Sequence, residues 1–161
     1  SITNNKIQDV TPLEKLVSLE YLEIHDNAVH SLTPIASLEN LTMFIASNNV
    51  IEDATALKNL HKLTFVNLSE NPLESIDFAK GLSDLDRLQI SDTNVSDLTP
   101  LANAKNLYYL DIRGTKVTSV QPLVGLTNLK YVLLNKDTVE DWTLLEKDGG
   151  PIISEITILA E

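Results

Sequence analysis

Three serines, Ser47, Ser69 and Ser91, recur at intervals of 22 residues, and His25 stands one interval before the first. A hydroxyl beside an imidazole is the beginning of nucleophilic catalysis, which also needs a third group to orient the base. No such group is evident in the sequence, so the serines read as a polar column and no catalytic residue is assigned. Glu23, His25, Asp26 and His30 carry metal-ligating atoms in a short stretch. Glu23 and His25 share one face of an alternating segment, but Asp26 and His30 follow the chain into the next bend. Their expected role is solvated surface, and neither a metal nor a cofactor is expected.

Recognition chemistry is better represented. Tyr21, Met43, Phe65, Arg87, Tyr109 and Tyr131 form one column at the same interval of 22. Two residues on run Glu23, Ile45, Asn67, Gln89, Asp111 and Leu133, and two further on His25, Ser47, Ser69, Ser91, Arg113 and Asn135. Aromatic residues and arginine dominate binding hot spots, and apolar clusters on a surface need a reason. The candidate partner-binding residues are therefore Tyr21, Met43, Ile45, Phe65, Arg87, Tyr109, Asp111, Arg113, Tyr131 and Leu133. The bland alternative is that these rings only stack between neighbouring strands.

The elements that must carry these columns follow from the residues between them. Leu19, Leu41, Leu63, Leu85, Leu107 and Leu129 form an unbroken column. Beside it run Leu22, Phe44, Val66, Leu88, Leu110 and Val132, then Ile24, Ala46, Leu68, Ile90, Ile112 and Leu134. In "YLEIH" (21–25) apolar residues alternate with others, the pattern of a short strand with one buried face. Successive strands run the same way and must pair as a parallel sheet. The candidate binding columns are the other face of that sheet.

An asparagine column, Asn5, Asn27, Asn49 and Asn71, continues as Thr93, Thr115 and Asp137. A buried asparagine can satisfy backbone groups in a bend that would otherwise be unpaired. Threonine can do part of this, and an ionised aspartate offers acceptors alone. After the bend, Pro12, Pro34, Pro100 and Pro122 share one phase, with Ala56 and Phe78 standing in for proline. Proline suits the first turn of a helix, and the few residues left predict 3₁₀ or very short α segments.

Each unit reads L-x-x-L-x-L-x-x-N-x-L, as in "LEYLEIHDNAV" (19–29) and "LTFVNLSENPL" (63–73), which is the leucine-rich-repeat pattern. A single unit cannot cover its own apolar face, so neighbours must stack. The expected fold is α/β: a right-handed leucine-rich-repeat solenoid with a parallel concave β-sheet and short 3₁₀ or α segments on the convex side, the hand following the rule for parallel crossovers. "NLT" (40–42), "NLS" (67–69) and "NVS" (94–96) match glycosylation sequons, but the repeat generates N-L-x unaided.

Composition narrows the partners. The net charge of −11 disfavours nucleic acid. The absence of cysteine excludes disulfides and thiolate metal sites. No apolar run approaches the roughly 20 residues of a membrane span, so no membrane insertion is expected. The division expected is a repeat domain over 1–148, starting inside a repeat, and a closing segment or the start of a following region over 149–161. The chain is expected to be a fragment, with Ile2, Ile7 and Val10 forming an apolar edge that no preceding coil covers.

The 22-residue unit with V-x-D-L-x-P-L-x-x-L-x-x-L, clearest at Val95 to Leu107, resembles the internalin-type repeats of Gram-positive surface proteins. That resemblance implies a protein-binding module of a cell-surface or secreted protein, adhering to a host or other protein through the concave face. Ala104 in a leucine column, and Ala56 and Phe78 in the proline phase, depart from the pattern. The alternative is an intracellular, cytoplasmic scaffold resembling the leucine-rich regulator of protein phosphatase 1, which also uses 22-residue repeats. The T-P-L phrase favours the bacterial class.

Overall fold

The computed structural model describes residues 1–146 and 155–157. Seven strands alternate with seven 3₁₀ helices: η1 (Thr11–Leu13), β1 (Tyr21–Glu23), η2 (Thr33–Ser37), β2 (Met43–Ile45), η3 (Thr55–Asn59), β3 (Phe65–Asn67), η4 (Asp77–Gly81), β4 (Arg87–Gln89), η5 (Thr99–Leu101), β5 (Tyr109–Asp111), η6 (Gln121–Leu123), β6 (Tyr131–Leu133), η7 (Trp142–Glu146) and β7 (Glu155–Thr157). The strands form one parallel sheet in sequence order, β1 to β7. From β1 to β6 the register steps by 22, with Tyr21 opposite Met43, Met43 opposite Phe65 and Tyr109 opposite Tyr131. This is a leucine-rich-repeat solenoid.

The pleat sends the middle residue of each strand inward. Leu22, Phe44, Val66, Leu88, Leu110 and Val132 are buried, as are Ile24, Ala46, Leu68, Ile90, Ile112 and Leu134. Opposite them, proline opens η1, η2, η5 and η6. All described helices are 3₁₀ and at most five residues long, because the loop must return to the next strand within one repeat. Asp9, Asp53 and Asp97 each accept a hydrogen bond from the backbone N–H of the threonine two residues on, fixing the entry to the helix.

The asparagine column joins the coils. Asn49 Nδ2 donates to Ile24 O, Ala46 O and Ser47 O, and its Oδ1 accepts from Val29 N at 2.9 Å. Asn27 and Asn71 repeat this pattern one coil before and one after. Asn49 and Asn71 are buried, whereas Asn27 is half-buried. Thr93 bonds only to Ile90 O of its own coil, so the bridge to the preceding coil lapses there. Asp137 is exposed; the coil of β6 is tied back instead by Asp141, which accepts from Ser119 Oγ and Val120 N. Lys136 Nζ lies 3.6 Å over the Trp142 ring beside this altered bend.

A second column precedes the first. Asn4, Asp26, Asn48, Glu70, Asp92 and Gly114 all have φ between 51° and 65°. The bend needs a left-handed residue at that place, and asparagine, aspartate and glycine tolerate it best.

Ile2, Ile7 and Val10 do not form an exposed edge: Val10 is buried and the two isoleucines are half-buried against the core. Backbone bonding of Ile2 N to Glu23 O, and Asn27 bonds to Ile2 O and Ile7 N, draw this segment onto the second coil. The exposed apolar side chains at that end are Leu16, Val17 and Tyr21. The expected closing segment 149–161 lies outside the described residues except for Glu155–Thr157, whose backbone pairs with β6.

Candidate functional site

The outward face of the sheet collects the predicted columns. Since alternate strand residues face opposite ways, β3, β4 and β5 set Phe65, Arg87 and Tyr109 side by side, and β6 adds Tyr131. Tyr21 is 61% exposed, whereas Met43, Ile45, Phe65, Tyr109, Tyr131 and Leu133 are half-buried. The Tyr109 and Tyr131 rings are 6.4 Å apart between centroids at 41°. Such tilted pairs gain about 0.5–1.5 kcal/mol beyond burial.

Two arginines are held differently. Arg113 grips Asp111 with one edge of the guanidinium, Nε to Oδ1 at 2.9 Å and Nη2 to Oδ2 at 2.6 Å. Those hydrogen bonds raise the guanidinium further above its ordinary value. Asp111 is only 2% exposed, so of the ten predicted residues it is the one that offers no free surface. It stands on the outward side of the strand as expected, but Arg113 folds over it. Arg87 bonds through Nε alone, to Asp86 Oδ2 at 3.1 Å, and its side chain is 57% exposed. Phe65, Arg87, Gln89 and Tyr109 line an open cleft of about 260 Å³.

Tyr108 was missed by the sequence reading because it precedes the strand and falls in no outward column. It is an exposed aromatic whose ring meets Tyr131 edge-on at 5.3 Å. The neighbouring Tyr131 hydroxyl, with some burial, holds its phenol above the ordinary tyrosine value. The signal available was the doublet Tyr108-Tyr109 facing Tyr131 one repeat later.

At the other end, Asp26 Oδ2 lies 2.7 Å from His25 Nδ1, supplying the orienting acid that the sequence left unseen. Asp26 Oδ1 also accepts from Asn48 Nδ2, and the two bonds, that of Asn48 first, depress its pKa. Among the described residues no hydrogen bond joins His25 to Ser47, so the serine has no bonded base. No group of three or more metal-ligating side chains converges among the described residues.

No protein-family model and no curated protein matches the sequence. Solved structures do. Internalin C2 of Listeria monocytogenes superposes with a TM-score of 0.87 and 30% identity over 97% of this chain and 68% of its own. The chain belongs to the internalin family. A second internalin of that organism, InlF, gives 0.82 and 31% over 89% of this chain and 42% of its own. InlJ, also from Listeria monocytogenes, gives 0.70 at 22% identity over 94% of this chain and 29% of its own, and shows the fold alone. As an internalin the chain carries its aromatic cluster where the sheet is continuous from β4 to β6, on the face opposite the core.

Proposed function

We propose that the chain is a protein-binding leucine-rich-repeat module of a bacterial cell-surface or secreted internalin, and that it holds a protein partner on the concave face. The observation that carries this reading is the contact cluster of Tyr108, Tyr109 and Tyr131 beside Arg87 and Arg113. Rigid aromatic side chains lose little conformational entropy on binding, and with arginine they are the residue types that dominate hot spots. The seat is built without sacrificing the core, because strand alternation leaves the outward residues free of folding duties. No described helix is long and apolar enough to cross a membrane.

The test is a Tyr109→Ala, Tyr131→Ala double variant screened against an array of soluble extracellular protein domains. Loss of about 2–4 kcal/mol of binding free energy is expected with unchanged circular dichroism, and Lys105→Ala on the convex side should be nearly silent. A partner that ignores the tyrosines and is lost with Lys105 overturns the assignment of the face. Antibody access to the repeats on intact cells tests the location.

A further inference from the structure

The concave face is electrically uneven. Residues 20–26, 42–48 and 64–70, which form β1 to β3 with their flanks, carry Glu20, Glu23, Asp26 and Glu70 and no lysine or arginine. The equivalent residues 86–92, 108–114 and 130–136 carry Arg87, Arg113, Lys130 and Lys136 against Asp86, Asp92 and Asp111. Asp86 and Asp111 are already bonded to arginines. A protein with a net charge of −11 thus places its sheet-side cations where three of its four tyrosines lie.

Within that region Arg87 keeps the outer edge of its guanidinium open. Asp86 takes its Nε, and among the described residues neither Nη group has a hydrogen bond. Phe65 and Tyr109 stand in register on either side of it, and Gln89 follows it on the same face of β4. A guanidinium presents its donors in a planar fork that matches a carboxylate at two points. Apolar walls partly shield that pair from water and so strengthen it. By contrast, Arg113 commits Nε and Nη2 together to Asp111.

We propose that the cleft of Phe65, Arg87, Gln89 and Tyr109 is an anchor subsite for a carboxylate side chain, an aspartate or glutamate of the protein partner. The free edge of Arg87 receives both carboxylate oxygens, the Gln89 amide offers a further donor, and the two rings enclose the methylene stem. The proposal rests on the concave-face reading and adds the partner's chemistry: an acidic residue next to the group that packs on Tyr109 and Tyr131.

The experiment is an NMR titration of the ¹⁵N-labelled chain with N-acetyl-glutamate N-methylamide, and with the neutral N-acetyl-glutamine N-methylamide at equal concentrations. The acidic probe should shift the Arg87 Nε–H and Gln89 amide signals saturably, and the neutral probe should leave them in place. Arg87→Gln should abolish the Gln89 response while keeping the dispersed amide spectrum of the folded chain. Asp86→Asn, which removes a competing carboxylate, should tighten the probe about two- to fivefold. Equal responses to both probes, an undiminished response in Arg87→Gln, or a response centred on Lys130 or Arg113 would each overturn the subsite. These outcomes are separate from those of the tyrosine variant, which tests whether the face binds a protein at all.

Discussion

Replacement of Asn49 by alanine gives a direct measure of what holds one coil to the next. The side chain makes four hydrogen bonds, but the groups it leaves behind are not equally harmed. Ile24 O still receives Asn27 Nδ2 at 3.0 Å, Ala46 O still receives Asn71 Nδ2 at 2.9 Å, and Ser47 O still receives Asp26 N at 3.0 Å. Val29 N has no second acceptor among the described residues, and its residue is fully buried. One orphaned buried N–H costs about 1–3 kcal/mol, and three weakened carbonyls add a few tenths each. The expected loss is about 2–4 kcal/mol, read from urea denaturation at unchanged m.

Asn49→Asp sharpens the point. The aspartate keeps an acceptor for Val29 N but turns an oxygen toward three carbonyls, so its ionised form is disfavoured and its folded pKa rises. The penalty is then full at neutral pH and relieved as pH falls through that raised value. Asn48 is a poor control, since it is left-handed at φ 51° and bonds to Asp26; exposed Asn59 in η3 serves instead. If Asn49→Ala loses no more stability than Asn59→Ala, the ladder does not hold the coils together.

Glu70 sits at φ 56° in a column otherwise filled by asparagine, aspartate and glycine, so Glu70→Asn should add about 0.5–1 kcal/mol, seen as a higher melting temperature. Gly114→Ala would bring a Cβ to 2.1 Å from Asp92 Oδ1 at φ +65° and should destabilise by at least about 1–2 kcal/mol; Gly125→Ala, whose nearest neighbour is Lys105 Nζ at 3.8 Å, should be close to neutral in the same melt. Asp97 is held below the usual carboxylate range by the Thr99 hydroxyl and then the Thr99 backbone N–H. Its contribution is present above about pH 4 and lost as pH falls through the depressed value, so urea midpoints of wild type and Asp97→Ala should differ at pH 6 and converge toward pH 3.

The period, the strand positions, the buried columns and the proline-led helices were legible because each is a local choice repeated in one phase. What the sequence hid was how side chains settle between coils. Asp-x-Arg on one strand face marks Asp111 and Arg113 as neighbours, yet only the geometry shows the arginine folded over and the acid buried. The left-handed column was visible as Asn4, Asp26, Asn48, Asp92 and Gly114, with Glu70 masking it. Asn40, Asn106 and Asn128 form a further ladder, each donating to a carbonyl 23 residues earlier, at Val17, Ser83 and Lys105. Two of those asparagines belong to no sequon, and the third invited a reading as a glycosylation signal that obscured its place in the column.

The two faces of the sheet answer to different constraints. Inward residues must fill a fixed volume between stacked coils, so the column of Leu22, Phe44, Val66, Leu88, Leu110 and Val132 varies only among apolar side chains. Outward residues meet only their row neighbours, and there tyrosine, methionine, phenylalanine and arginine all stand in one column without disturbing the register. Stability therefore leaves the outward composition undetermined. The Tyr109–Tyr131 pair adds its own gain of about 0.5–1.5 kcal/mol, but the register alone requires neither tyrosines at those positions nor cations beside them. If a partner docks on this face as proposed, the ring cluster from β5 to β6 is where substitutions should weaken it first.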